Sequence, residues 1–423
     1  MTAPRIDATF GWSMPRPRPS AVAVAAFAAV LLAAYAVLWS GVSQANIGTA
    51  DFTSTYVAAT LLREGHGAVM YEEALQAPLH AALIAPLQKG NLPFVNPPLS
   101  AVAAVPLTLL PLAAAYRLWQ ALQLVMLALA VGVAAWAAPW PPSVRRSGVA
   151  GAAALAALAG TGTLSLGLLG QWDGFSALGL AAAYVLWRRG DRFAGGAVLA
   201  ASAAVAKPHL AIGLAALLVG WRDRRVLAGA AAGLAAVLLV SLLAVGPSGL
   251  GGFVDAARAD SGRWPLASML GFTGLFGSWL GDGAATELLA ATGSVLALGG
   301  CLLLGRRLAR DHAALEPCLA AATVLSLLAS PHLLSHDLVL LAPVLVGLLG
   351  WAAIRDGAMR WPGHHSRGVL AGWVVLSLAI ALDLGSQAAA PPGRLVPWAL
   401  LGLAGLLTLD LRPRPGRLAT APT

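Results

Sequence analysis

Residues 21–40 read AVAVAAFAAVLLAAYAVLWS, and the chain then turns polar over GVSQANIGTADFTSTY, residues 41–56, placing a carboxylate at Asp51. The first stretch carries no charge and has the roughly 20 residues that a helix needs to cross a bilayer. Further apolar runs follow, built of Ala, Leu, Val and Gly without the two-residue alternation of a barrel strand. The chain has 423 residues, 58% of them hydrophobic and 11% charged, with a mean hydropathy of +0.76. No soluble domain hides that much apolar side chain. The fold class is an all-α polytopic membrane protein. The formal charge of +9 sits in short arginine clusters between apolar runs, a topology signal and not a nucleic-acid patch.

Arg5, Arg16 and Arg18 precede the first span and predict a cytoplasmic N-terminus. The span lacks a convincing cleavage site and reads as an uncleaved first helix. Arg145-Arg146, Arg188 to Arg192, Arg222 to Arg225, Arg306 to Arg310, Arg355 to Arg367 and the tail arginines Arg412, Arg414 and Arg417 mark the cytoplasmic side. The segments 41–98, 163–173, 246–283, 330–337 and 385–394 then face outward and carry Asp, Gln, His, Trp and Tyr. Between Pro98 and Arg145 there is apolar length for two helices where the charges ask for an odd number of crossings, and Pro106 and Pro111 suggest a broken piece. Lys207-Pro208 lies midway between two cytoplasmic arginine clusters, which predicts two short helices meeting at that corner. About twelve helices with both termini inside is the expectation. Residues 1–19 and 412–423 are read as cytoplasmic tails, 20–411 as the transmembrane catalytic domain, with 41–98 as a large first external loop. Cys301 and Cys318 lie in or beside apolar runs and read as small buried hydrophobes.

Several short motifs occur in order on the outward side. They are Asp51-Phe52 with Tyr56, Ala58-Ala59, Gly65 and Met70-Tyr71; Phe94-Val95-Asn96-Pro97-Pro98-Leu99; Gly170-Gln171-Trp172-Asp173; Lys207-Pro208; and Ser330-Pro331-His332 with His336-Asp337. In this order they resemble glycosyltransferase family 87 of the GT-C membrane class, the polyprenyl-phosphate-mannose-dependent α-mannosyltransferases, over about residues 20 to 410. Asp173 stands where the family pattern has an asparagine, and Thr55 precedes Tyr56 where a second aromatic is common. The resemblance implies a GT-C-type bundle in the cytoplasmic membrane of a bacterium, with its active site on the outer face.

Moving a sugar from a lipid phosphate to an acceptor hydroxyl requires a base for that hydroxyl and positive groups for the departing phosphate. Asp51 suits the base, since a hydrophobic span before it and Phe52 after it desolvate the carboxylate; the alternative is a cap on the helix that follows, with Thr49 and Thr53 as rivals. Lys207 is one of two lysines among 27 basic residues and lies in Ala-rich sequence, where an ionisable group is costly. It suits a phosphate oxygen, or else it snorkels to the interface. His332 and His336 share a face if helical. They suit phosphate or sugar hydroxyls, or a plain interfacial role; Asp337 would point elsewhere on a helix, and no metal site is assigned. Arg263 is a further phosphate candidate. Tyr56, His66, Tyr71, Gln171, Asp173 and Trp264 are candidates for substrate contacts, with Glu72 and Glu73 read equally as a solvated helix start.

The resemblance implies an inverting hexosyltransferase acting on a polyprenyl-phosphate sugar and a lipid or glycan acceptor, surrounded by membrane lipids, with no nucleic-acid partner and no organic cofactor; a divalent metal is left open. No Gly-rich phosphate loop is present to cradle a nucleotide. The rival from another class is a polytopic lipid or sugar transporter or flippase, which would more naturally show an inverted repeat; the first loop has no counterpart in the second half.

Overall fold

The computed structural model describes residues 18–84, 92–260, 263–357, 362–385 and 393–410. Arg5, Arg16 and the tail arginines Arg412, Arg414 and Arg417 therefore lie outside the described residues, as do most of 385–394 and part of 355–367. No strand occurs among the described residues. The first span is α1 (Pro19–Ser40). After it come the shorter helices α2 (Gln44–Gly48), α3 (Asp51–Arg63), α4 (Glu73–Ile84) and α5 (Pro98–Ala104), the last running into a 3-10 piece that ends at Leu109. Then come α6 (Leu112–Ala137), α7 (Pro142–Arg146), α8 (Val149–Leu158), α9 (Thr161–Leu169), α10 (Asp173–Arg188), α11 (Arg192–Val205) and α12 (Ile212–Trp221). The remainder is α13 (Arg224–Asp260), broken at Gly246-Pro247, then α14 (Phe272–Leu280), α15 (Ala284–Arg310), α16 (Leu315–Ala329), α17 (Leu341–Asp356), α18 (His364–Gly385) and α19 (Leu395–Asp410).

Among the described residues, seven helices are long and apolar enough to cross a membrane: α1, α6, α13, α15, α16, α17 and α18, with α16 and α17 extended by 3-10 turns. The pair α8 and α9, bent by 47° at a short break, makes an eighth. Helices α10, α11, α12 and α19 run to 16, 14, 10 and 16 residues, below the roughly 20 that a straight span needs. The expected count of twelve thus exceeds what length alone shows. Between Pro98 and Arg145 the structure resolves the parity problem: the chain spends the first apolar piece on the short helix ending at Leu109 and the second on one long span. Lys207-Pro208 does join two short helices, through a 3-10 turn at Pro208–Ala211.

Helices α16 and α17 are buried along most of their length, and the main core closes around them. Peripheral spans keep exposed apolar faces, such as Val30 and Val37 on α1, Leu239 and Leu243 on α13, and Leu296 on α15, as expected where lipid is the solvent. Because lipid supplies little drive for helix association, small residues at crossings let backbones approach closely. At the α12–α15 crossing, a Cβ on Gly220 would meet the Leu302 carbonyl at 2.1 Å, and one on Gly305 would meet the Leu217 carbonyl at 2.1 Å. Helices α3 and α5 do not hang free. Phe52, Tyr56, Tyr116, Trp119 and Trp172 form one cluster joining α3 to α6 and α10, and Val57, Leu61, Met70, Tyr71, Phe94 and Val245 form another against α13.

Gly220→Val is expected to destabilise the detergent-purified protein by about 1–3 kcal/mol, because the backbone contact leaves no room for two methyls. Gly132→Val, where nothing lies within 4 Å, should leave the melting temperature nearly unchanged. Equal melting temperatures for both variants would show that the crossing tolerates separation.

Candidate active site

The N-terminal end of α6 organises the site by satisfying two helix C-termini, whose last carbonyls have no intrahelical partner. Arg117 donates to the carbonyls of Trp39, Ser40 and Val42 and so closes the end of α1; the last two bonds measure 3.3 and 2.8 Å. Tyr116 donates to the Gly167 and Leu168 carbonyls, Gln120 to Gly167 at 2.6 Å, and Trp119 to Gly170 at 2.8 Å. These four side chains fix α9 against α1. Gly170 then turns the chain with φ 65°, the left-handed C-terminal position where a side chain is costly. A Cβ there would also meet Phe52 at 2.9 Å. The turn delivers Gln171 toward Asp51 and starts α10 at Asp173.

Asp51 is the first residue of α3, and its side chain makes no cap bond to that helix. Thr53 donates to the Ile47 carbonyl and Thr49 to the carbonyls of Ala45 and Asn46, so the capping alternative fails for all three. The carboxylate instead accepts a hydrogen bond from Gln171 Nε2, and His336 Nε2 lies 4.0 Å from Asp51 Oδ2. Asp51 keeps 29% of its side-chain surface exposed, open enough to meet another molecule. Its surroundings nevertheless push the carboxyl above the ordinary range. Burial among α3 and its neighbours is the largest influence, opposed by the Gln171 hydrogen bond and by the charges of Lys207 and His332, and assisted by Asp337.

Below Asp51 lies a closed ion cluster. Lys207 Nζ donates to Asp173 Oδ2 at 3.1 Å and to Asp337 Oδ1 at 2.6 Å, and the lysine is 6% exposed. Its ammonium is thus engaged with protein carboxylates; it neither snorkels nor stands open to a donor phosphate. His336 Nδ1 lies 3.5 Å from Asp173 Oδ2 and 3.4 Å from Asp337 Oδ1. The Lys207 corner is pinned from behind by Ser326 of α16, which donates to the Leu210 carbonyl at 2.7 Å and accepts from Gly213 N–H at 2.8 Å. The 3-10 turn Ser335–Leu340 carries His336 and Asp337 and is tied to α9 by Ser335 and Ser165 hydroxyls 2.9 Å apart.

Asp337 is the functional candidate that reading the sequence as α-helix discards. The helix starts only at Ser335 and is a 3-10 turn, and Asp337 Oδ2 accepts the Leu334 N–H at 2.7 Å while Oδ1 holds Lys207. The one sequence signal for it is that a lysine within apolar sequence needs a counter-charge. The same start point removes the shared helical face of His332 and His336. His332 lies before the turn with its ring 6.4 Å from that of His209, and burial pushes its imidazole below the ordinary value. It remains within electrostatic reach of Asp51 and Asp260.

The other candidates bond elsewhere. Tyr56 donates to the Leu110 carbonyl at 2.8 Å and Tyr71 to the Asn96 carbonyl at 2.7 Å, both buried as struts of the segment between α1 and α6. Arg263 pairs with Glu73 at 3.4 Å and Asp260 at 3.5 Å. His66 is exposed beside a short 3-10 turn, and Trp264 is exposed on the segment after α13. The structure therefore joins Asp51, Gln171, Asp173, Lys207 and His336, with Asp337 added and His332 nearby, sets Tyr56, Tyr71 and Arg263 in other contacts, and leaves His66 and Trp264 exposed.

The model of glycosyltransferase family 87 matches residues 94–331, more than half of the chain. The chain belongs to glycosyltransferase family 87. Comparison with curated proteins and with solved structures gives no match. Family membership makes the protein an enzyme that transfers a glycosyl group between a donor and an acceptor, and the transporter alternative is set aside. The matched segment contains Gln171, Asp173 and Lys207, while Asp51, His336 and Asp337 lie outside it and reach it through the contacts above.

Removing one partner of a buried pair leaves an uncompensated charge and typically costs 3–5 kcal/mol. Asp337→Ala is expected to lower the thermal midpoint of the purified protein strongly, since it also frees the Leu334 N–H; Asp255→Ala, whose carboxylate is 78% exposed, should not. Similar midpoints for the two variants would refute a structural role for the cluster.

Proposed function

We propose that this family 87 member is an inverting transferase that moves a hexose, mannose foremost, from a polyprenyl monophosphate to a lipid or glycan hydroxyl at the outer face of a bacterial cytoplasmic membrane. The supporting observation is the placement of Asp51. It is a partly exposed carboxylate, raised in basicity by burial, oriented by Gln171 and backed by His336 over a closed ion cluster. A general base is best tuned toward the working pH while remaining able to reach its proton. In a single displacement the acceptor oxygen forms a bond to the anomeric carbon as the bond from that carbon to the phosphate oxygen breaks. The hydroxyl proton passes to Asp51, and the electron pair of the broken bond stays on the departing polyprenyl phosphate. A β-linked donor thereby gives an α-linked product.

With Lys207 closed off, the phosphate is assigned to His332 as a hydrogen-bond donor and to Arg263, whose side chain stays 34% exposed beside Glu73 and Asp260, the latter within reach of His332. The donor's apolar tail would lie against the lipid-facing helices, and Trp264 offers an exposed ring for a sugar face.

Asp51→Asn should leave the melting temperature near that of the native protein and lower sugar transfer from a polyprenyl-phosphate donor by 10²–10⁴-fold, the usual contribution of a positioned base. Near-normal turnover would remove Asp51 from that role. The same assignment sets the sign of a pH effect. Because the base works unprotonated, transfer falls as pH drops through the Asp51 pKa. Gln171→Leu removes the hydrogen bond that lowers this pKa, so the acid limb of kcat/KM should move to higher pH, whereas an unmoved limb would assign it to another group.

For the orientation, single cysteines are placed at exposed Glu72 and Arg224 in a background without the buried Cys301 and Cys318. The first should react with an impermeant thiol reagent in intact cells and the second only after lysis. The inverse pattern would put the site on the cytoplasmic side.

A further inference from the structure

The atoms around Lys207 form a nest of the kind that holds a metal ion. Asp173, His336 and Asp337 each direct one ligand-type atom inward, and these atoms lie within 4.8 Å of one another. The three residues come from two segments, Asp173 from the start of α10 and His336 and Asp337 from the 3-10 turn before α17, and none is more than 1% exposed. Two carboxylates and an imidazole suit ions such as Mn²⁺ or Zn²⁺. The nest also has spare acceptor capacity: Asp173 Oδ1 is buried and lacks a hydrogen-bond partner among the described residues.

A cation already stands in it. Lys207 Nζ is 2.6 Å from Asp337 Oδ1, 3.1 Å from Asp173 Oδ2 and 3.5 Å from His336 Nδ1. Those radii fit an ammonium, and they exceed the roughly 2.0–2.2 Å at which carboxylate and imidazole bind zinc. A divalent ion at the same point would meet the ammonium at contact distance in a region closed to water, where like charges repel strongly.

We propose that Lys207 is the resident cation of the Asp173–His336–Asp337 nest. The native protein excludes divalent ions from this point because the ammonium takes their place, and removing the ammonium opens a divalent-cation site. Lys207 is then a positioning residue. It touches no substrate, and it holds Asp337 and His336 where His336 Nε2 faces Asp51. The proposal concerns the site of the proposed transfer reaction but is read by metal binding without donor or acceptor, so the two fail separately.

The test is an Mn²⁺ titration of purified full-length protein in lipid nanodiscs, with free Mn²⁺ read by electron paramagnetic resonance. The wild type should bind no stoichiometric Mn²⁺, and its sugar transfer should be unchanged by EDTA. Lys207→Ala, purified with Mn²⁺ present, should bind one ion at least tenfold more tightly than the wild type, and adding Asp337→Asn should abolish that binding. Lys207→Arg, which keeps the charge, should stay metal-free. Stoichiometric Mn²⁺ on the wild type that Asp173→Asn removes, or transfer lost to EDTA and restored by Mn²⁺, would overturn the proposal. A monodisperse Lys207→Ala protein with no more Mn²⁺ affinity than the wild type would overturn it equally. Should Lys207→Ala not fold, the wild-type and Lys207→Arg measurements decide.

Discussion

One buried ammonium holds the structure's functional end together. Lys207 bonds Asp173, 34 residues before it, and Asp337, 130 residues after it, so three segments far apart in the chain are tied at one point. Such a cluster is poor at stabilising a fold in general, since desolvation offsets most of the Coulombic gain. Its value is specificity. Each charge is costly unless the other two are in place, so helix arrangements that separate α10 from the Lys-Pro corner, or the corner from the Ser335–Leu340 turn, are strongly disfavoured. Elsewhere much of the bundle packs Ala, Leu and Gly, which discriminate weakly between neighbouring registers.

The second constraint is the fate of helix ends. A chain that breaks helices inside a membrane must find partners for the freed carbonyls, and α6 supplies them in one turn, from Tyr116 to Gln120. That turn serves α1 and α9 together and therefore sets the distance between the segment leading to Asp51 and the segment leading to Asp173. Aromatic packing of Phe52, Trp119 and Trp172, with ring centres 5.8 and 4.5 Å apart, fills the space between them. The site is thus held by interactions that are neither ionic nor titratable on one side and by the ion cluster on the other.

The apolar runs made the fold class legible, since length and charge-free composition suffice to place a helix in a bilayer. The arginine clusters marked where helices turn, and the Lys-Pro corner was visible as an ionisable group where none belongs. Side-chain partners were less legible. Tyr56 and Tyr71 read as substrate contacts because aromatics beside acids suggest sugar binding, yet a buried phenol needs an acceptor, and here backbone carbonyls supply it. The i, i+4 spacing of His332 and His336 suggested a shared face, but the helix begins after His332. Asp337 was passed over for the converse reason: one residue beyond His336 points away on an α-helix, whereas a 3-10 start with a bond back to Leu334 brings both inward. Helix type and start point, which periodicity does not fix over six residues, decided each case.

The site residues share a further property, which is that they lie at helix beginnings. Asp51 is the first residue of α3 and Asp173 the first of α10; Lys207 directly precedes the Pro208–Ala211 turn; His336 and Asp337 lie in the first turn of Ser335–Leu340. Helix N-termini present unpaired N–H groups and carry partial positive charge. Their convergence favours the three carboxylates electrostatically and so permits a density of acids that one lysine alone balances only in part. The N–H groups at the starts of α3 and α10 remain in place when an acid beside them is protonated. In the proposed transfer, Asp51 loses its negative charge by taking the acceptor proton as charge grows on the leaving group, so the carboxylate ceases to repel that charge at the moment it develops.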